Sequence, residues 1–119
     1  DAADIDPYFS TVTGWRGLGQ ALGRRLITPR GSLLDDDAYG YDLRSRLNDT
    51  FTAAELAQLG AVVRRELEAD ERVESATAAV TFAQGTLTVR AAVQTAEGPF
   101  RLVLAVSAVT TEILAAEPV

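Results

Sequence analysis

The sequence contains no cysteine, no histidine and no lysine. Without cysteine the chain can form neither a disulfide nor a thiolate metal site, and without histidine the usual zinc sites and Ser-His-Asp triads are excluded. No stretch of 18 or more apolar residues occurs, so no membrane-spanning helix is predicted. We therefore expect a protein of the reducing cytoplasm that holds no metal and no cofactor. Because the chain begins at Asp1 rather than at a methionine, we expect its natural N-terminus to lie upstream.

Basic charge is also scarce, because 17 acidic residues face 11 arginines and leave a net charge of −6. Duplex nucleic acid needs a clustered basic face, which this composition does not supply. We expect partner surfaces to be neutral or basic. A chain of 119 residues with 47% hydrophobic residues suits one domain. We place an N-terminal arm at residues 1–15 and a single domain at residues 16–119.

The first half of the chain predicts helices. Leucine spacing indicates a short helix at residues 18–25, and the Thr-Pro-Arg-Gly segment between two apolar pairs, at residues 26–34, is typical of a hairpin. A second short helix is predicted at residues 41–47. The main helix is predicted at residues 53–69, because Thr52 and Glu55 form a capping box before an apolar stripe of period 3.6.

The second half predicts strands, since the apolar period changes to two after Arg72. A first strand spans about residues 73–83, a second about 87–94, and a third about 100–109. The predicted fold is α+β, with the main helix packed on a three-stranded antiparallel sheet. In an open sheet the third strand would be an edge, and its run from Leu102 to Val109 carries no charge and no proline to protect it.

Several of these segments resemble a known family. A Thr-x-x-Gly turn at Thr28 and Gly31 is followed by an aromatic-Gly-x-Asp-Leu signature, and an Asp-Glu-Arg junction stands between the main helix and the first strand. The signature residues are Tyr39, Gly40, Asp42 and Leu43, and the junction residues are Asp70, Glu71 and Arg72. In this order and spacing they resemble the W-like baseplate wedge proteins, the sheath initiators of contractile phage tails and type VI secretion systems. The family junction is Glu-Pro-Arg, so here only the arginine is kept unchanged.

The resemblance implies a structural subunit rather than an enzyme. Such a subunit joins the helical bundle of the larger wedge proteins, and Asp70, Glu71 and Arg72 would form that interface. It also offers its sheet to the first ring of the tail sheath protein, with the strand Leu102, Val103, Leu104, Ala105 and Val106 as the sheath-facing element. Tube or spike components are further partners, whereas nucleic acid and membrane are not. The implied location is the bacterial cytoplasm during assembly and then the baseplate.

Two alternatives stay open at this stage. A wall-degrading glycosidase would need two separated acids in one cleft, for which Asp42 and Glu71 are the least unsuitable pair. The adjacent acids Asp35, Asp36 and Asp37 lack the alternating spacing of a calcium loop and are interpreted as a solvated turn. A stand-alone adaptor domain of similar fold is the third reading.

Overall fold

The computed structural model describes residues 12–31, 40–47 and 50–119. Two α-helices, α1 (Val12–Ile27) and α2 (Ala53–Glu68), flank a short 3-10 helix at Leu43–Arg46. Four strands follow, β1 (Val73–Ala83), β2 (Thr86–Thr95), β3 (Gly98–Val106) and β4 (Thr111–Pro118). They pair antiparallel with their neighbours, in the order β1-β2-β3-β4. The α+β class predicted from the sequence therefore holds.

The prediction of a three-stranded sheet was wrong, because β4 adds a fourth strand beside β3. The connection between them is a turn in which the Ser107 N–H donates to the Thr110 carbonyl over 2.8 Å. That turn contains neither glycine nor proline, so it lacks the usual sequence signal. Val103 pairs with Ala115 and Leu104 with Ile113, so Leu114 is an extra residue in β4. This bulge breaks the alternation of inward and outward side chains along β4.

Helix α1 lies on the face of β3 and β4 and is longer than predicted, since it begins at Val12, within the range assigned to the N-terminal arm. Its leucines at positions 18, 22 and 26 are fully buried, which is the one-face spacing of an amphipathic helix. Trp15 is 6% exposed and stacks on Phe100 with ring centroids 5.2 Å apart. A Cβ built on Gly19 would lie 2.7 Å from the Ala116 Cβ, so glycine allows this close approach.

Helix α2 begins with the predicted capping box. Thr52 Oγ1 accepts from the Glu55 N–H over 3.1 Å, and Glu55 Oε1 accepts from the Thr52 N–H over 2.8 Å. The buried residues of its stripe are Leu59, Val63 and Leu67. The helix packs on β1, and these side chains belong to one hydrophobic core with the buried residues of β1, β2 and β3.

The predicted hairpin at residues 26–34 does not form as expected, because Leu26 and Ile27 are the last residues of α1. Leu26 continues the buried leucine stripe, and the Thr28 hydroxyl donates to the Arg24 carbonyl over 2.6 Å at the helix end. The second arm of that hairpin, at residues 32–34, lies outside the described residues. So do the three consecutive aspartates, Tyr39 and residues 1–11.

Candidate functional site

A buried carboxylate, Glu66 on α2, lies at the centre of the cluster that joins the two helices. Its side chain is only 5% exposed. Arg25 Nε lies 2.8 Å from Glu66 Oε2, and Arg30 Nη2 donates to Oε1 over 2.8 Å. The Gly40 N–H donates to Oε2 over 2.9 Å. A buried charge needs such partners, because desolvation without them is very costly.

The chain after α1 and the chain before the 3-10 helix meet at this carboxylate. Besides the Gly40 bond, the Tyr41 N–H donates to the Arg25 carbonyl over 2.9 Å. Gly40 has φ of 98°, a left-handed conformation that favours glycine, and a Cβ there would lie 2.3 Å from the Thr28 carbonyl oxygen. The glycine of the signature is therefore required by the close approach of two backbone segments.

The Asp-Glu-Arg junction lies at the end of the same helix. Asp70 holds Arg72 by three contacts: Oδ1 accepts from the Arg72 N–H over 2.9 Å and from Nε over 3.0 Å, and Oδ2 accepts from Nη2 over 2.8 Å. Burial alone would raise the pKa of the Asp70 carboxyl. The hydrogen bonds and charge of Arg72, with the charge of Arg25, outweigh that effect and lower this pKa from its ordinary value.

Between the junction and α1 lies an open recess lined by Arg25, Ala69 and the three junction residues. Glu71 is exposed, while the side chain of Arg72 is 31% exposed and fixed against Asp70. A guanidinium held in this way keeps a defined direction. The recess is therefore a polar surface that carries charged groups of both signs. Within residues 12–31, 40–47 and 50–119, no group of three or more acids is arranged to hold a metal ion.

The remaining signature residues have local structural roles. Gly31 has φ of 88° in the turn after α1. Asp42 Oδ1 accepts from the Arg44 N–H over 3.1 Å and so caps the 3-10 helix. Leu43 is fully buried in the core. Thr28 and Gly31 of the turn, Gly40 of the signature and the junction thus lie at one end of the two helices, whereas the predicted sheath-facing strand lies in the sheet.

That strand, Leu102–Val106, belongs to β3 and is not an edge. Its register with β2 runs through Leu102↔Ala91 and Leu104↔Val89, and on its other side Leu102 pairs with Ala116 of β4. Both rows of its backbone groups are therefore used within the sheet, and the prediction of β3 as the exposed edge was wrong. The two outer strands of this sheet are β1 and β4.

Sequence reasoning did not identify Glu66 or Arg25 as members of this cluster. The signal was present, since Glu66 stands seven residues after Leu59 and three after Val63, which places it on the buried face of α2. A charged residue at a core position predicts a buried partner of opposite charge. Periodicity alone does not identify that partner, because Arg25 is 41 positions away in the chain.

The two acids of the glycosidase alternative have different surroundings. Glu71 lines the recess described above, and Asp42 does not. Asp42 instead caps the 3-10 helix through its carboxylate.

Comparison of the chain with known protein families and with curated proteins finds no match. Across the part of the chain that the structure describes, neither helix combines the length and apolarity needed to cross a membrane.

Proposed function

We propose that this chain is a structural baseplate wedge subunit of a contractile injection system. In this role it joins the bundle of larger wedge proteins through the surface around Asp70, Glu71 and Arg72, and it presents its sheet to the first ring of sheath subunits. It assembles in the bacterial cytoplasm and remains in the baseplate, where tube or spike components are neighbours. The proposal rests on the sequence resemblance and on one structural observation.

That observation is the convergence of the signature segments. Thr28, Gly40 and the Asp70–Arg72 junction are far apart in the sequence, yet all meet around Glu66 and Arg25. A motif whose parts merely recur by chance has no reason to meet in space. The ion pair fixes the end of α1 against the end of α2, and this rigid corner supports the exposed Glu71 and the half-buried Arg72. Such a preorganised corner reduces the entropy lost on binding.

The decisive experiment is co-purification of the chain with larger wedge proteins. Arg72→Ala should reduce recovery of the complex strongly, while the free subunit stays folded and its melting temperature falls only by the effect of losing the Asp70 pair. Arg72→Lys keeps the charge but loses the two-pronged guanidinium contact, so we expect an intermediate loss. Arg64→Ala is the matched control, because Arg64 is a half-exposed arginine on α2 that pairs only with Glu68 among the described residues.

If Arg72→Ala co-purifies as well as the native chain and the control, Arg72 is not part of the interface. If the native chain itself recovers no wedge, sheath or tube protein, the proposed function is wrong.

A further inference from the structure

We propose that two copies of this chain associate face to face through the outer surface of the sheet, related by a two-fold axis that runs along the strands between β2 and β3. This inference goes beyond the proposed function, because it involves neither wedge nor sheath proteins. It rests on the small side chains of the outer face and on the arrangement of its charges.

The helices cover only one face of the sheet. The buried leucines of α1 and α2 belong to one core with inward-facing strand residues such as Val89 and Leu102. Because side chains alternate between the two faces of a sheet, the residues between these positions point outward. Within residues 12–31, 40–47 and 50–119, neither helix lies on that outward face.

The register of the strands arranges the outward side chains in three rows across the sheet. In each row one residue from every strand stands beside its neighbour, in the order β1 to β4. Alanine, threonine and valine predominate, so the face is flat and mostly uncharged. The first row is Thr77, Ala92, Arg101 and Glu117, the second is Ala79, Arg90, Val103 and Ala115, and the third is Thr81, Thr88, Ala105 and Glu112.

Two of the four charged side chains on this face neutralise each other, and two do not. Arg101 and Glu117 form an ion pair within the first row. Arg90 and Glu112 are exposed and form no ion pair within the described residues. They cannot pair with each other in one chain, because β3 separates their strands. Beside Arg90 lies a shallow recess of about 350 Å³, with small side chains such as Ala79 in its lining.

A two-fold axis along the strands brings the two unpaired charges together. It places β2 of each copy over β3 of the other, and β1 over β4, so that every row faces itself in reverse order. Arg90 then lies over Val103 of the second copy, and its guanidinium extends above Ala115 between Glu112 and Glu117 of that copy. Every charged side chain lies opposite an uncharged one.

A two-fold axis across the strands gives the opposite result. It would place Arg90 over Arg90, and Glu112 over Glu117, of the second copy. Like charges directly opposed across an interface are strongly unfavourable. The pattern of charge therefore selects the axis along the strands.

The twist of the sheets preserves this pairing. Aligned sheets cross at about 30°, which moves the outermost facing residues by about 4 Å along the strands. That shift is smaller than the spacing of about 6.6 Å between successive side chains on one face of a strand. Each row therefore still faces its own counterpart.

The size of the face predicts a weak and reversible dimer. Four strands about 4.8 Å apart, with three side chains about 6.6 Å apart along each, give about 400 Å² per copy. Two copies together cover about 800 Å², which is below the roughly 1,200 Å² of stable complexes. The dimer therefore forms at high subunit concentration and dissociates on dilution.

The first test measures self-association of the purified chain by analytical ultracentrifugation over a wide range of concentration. We expect monomer and dimer without larger species, because a two-fold interface is closed. Arg90→Glu should raise the dissociation constant at least about tenfold, since it adds an acid beside Glu112 and Glu117 of the second copy. Arg65→Glu makes the same charge change at an exposed position on α2 and should leave the dissociation constant nearly unchanged.

A charge exchange tests the predicted contact directly. Glu112→Arg alone should also weaken the dimer, because it opposes Arg90 of the second copy. An equal mixture of the Arg90→Glu and Glu112→Arg chains should associate more strongly than either variant alone, since each arginine again meets an acid.

Crosslinking tests the direction of the axis. The chain contains no cysteine, so a short bismaleimide reacts only where cysteine is introduced. Ala79 and Ala115 lie in the same row on the two outer strands, about 14 Å apart within one chain, but they face each other between copies. A mixture of Ala79→Cys and Ala115→Cys chains should therefore crosslink, whereas neither variant should crosslink with itself.

Three results would each overturn this inference. The chain could stay monomeric at every concentration, Arg90→Glu and Arg65→Glu could act equally, or either cysteine variant could crosslink with itself and not in the mixture. Circular dichroism of each variant confirms that it is folded, so loss of association is not mistaken for loss of structure.

Discussion

Replacement of the buried carboxylate by its neutral isostere, Glu66→Gln, should destabilise the fold by about 3 kcal/mol. The side-chain volume stays the same, so no cavity forms. The glutamine carbonyl can still accept from the Gly40 N–H, which keeps the bond now measured at 2.9 Å. What is lost is the negative charge between two guanidinium groups.

The size of the stability loss depends on which of the two arginines stays buried when the charge of Glu66 is removed. The side chain of Arg30 is 50% exposed and can turn into water at little cost. The side chain of Arg25 is only 12% exposed, so its charge would stay in a desolvated site after the ion pair with Glu66 is lost. Breaking one side of a buried pair costs about 3 to 5 kcal/mol, and the lower end applies because the Gly40 bond persists.

The assay is reversible chemical denaturation of the free chain. Glu117→Gln is the matched control, because Glu117 pairs with Arg101 and both side chains are more than half exposed. We expect that control to cost less than about 1 kcal/mol. Addition of Arg25→Met to Glu66→Gln removes the buried cation that has lost its ion pair with Glu66, so the double variant should be more stable than Glu66→Gln alone.

Two results would refute this reasoning. If Glu66→Gln costs no more than Glu117→Gln, the Glu66 pair is not desolvated. If Arg25→Met gives no recovery in the Glu66→Gln background, the cost comes from repacking of the loop rather than from loss of the Arg25–Glu66 ion pair. Amide exchange at Tyr41, whose N–H donates to the Arg25 carbonyl, reports separately on opening of the loop.

Three further outcomes are expected from the described contacts. Leu59→Ala should cost about 2 to 5 kcal/mol in denaturation because Leu59 is 2% exposed, whereas Leu114→Ala, at a position 57% exposed, should cost under about 0.5 kcal/mol. Because the pKa of Asp70 is lower in the folded chain than its ordinary value of 3.8, its ionised form stabilises the fold above that value. The stability difference between the native chain and Asp70→Asn, followed by thermal melts, should therefore shrink as pH falls through and below 3.8, and a constant difference would contradict it. Gly40→Ala should lower the melting temperature more than Gly31→Ala. Both glycines have positive φ, but a Cβ at Gly40 would also lie 2.3 Å from the Thr28 carbonyl oxygen. Equal effects of the two substitutions would show that this clash relaxes.

The elements with strong local signals were predictable. The capping box at Thr52 and Glu55 fixed the start of α2, and the change of apolar period after Arg72 marked the start of β1. In both cases the signal lies within a few residues of the feature that it predicts. The turns Gln84-Gly85 and Glu97-Gly98 likewise separate β1 from β2 and β2 from β3, because glycine there adopts positive φ.

The last strand was not predictable by the same reasoning. The turn before it contains no glycine or proline. Instead, the Ser107 hydroxyl donates to the Thr110 carbonyl and accepts from the Thr110 N–H. The bulge at Leu114 interrupts alternation, and the two alanines that follow lack the β-branched character of a strand. The pairing with β3 outweighs these weak preferences, since residues 111–118 bury part of their surface against α1 and extend the ladder of β3.

The candidate site was predicted in its parts but not in its centre. Thr28, Gly40 and Arg72 were identified from the resemblance, while Glu66, which joins the segments around them, was not identified. The hydrophobic pattern shows which face of a helix is buried, but the partner of a buried charge comes from a distant part of the chain. Here that partner is Arg25, near the end of a helix whose extent was itself underestimated.

The fourth strand makes β1 and β4 the two edges of the sheet, and α2 covers part of the β1 edge. In the sequence Glu68 stands four residues after Arg64, as in an ordinary exposed helix pair, and the structure contains that pair at 3.5 Å. The other carboxylate oxygen of Glu68 accepts the outward N–H of Ala76, so the same side chain closes the β1 edge. A strand added along the first half of β1 would therefore have to displace Glu68 from the Ala76 N–H, which protects this part of the sheet edge.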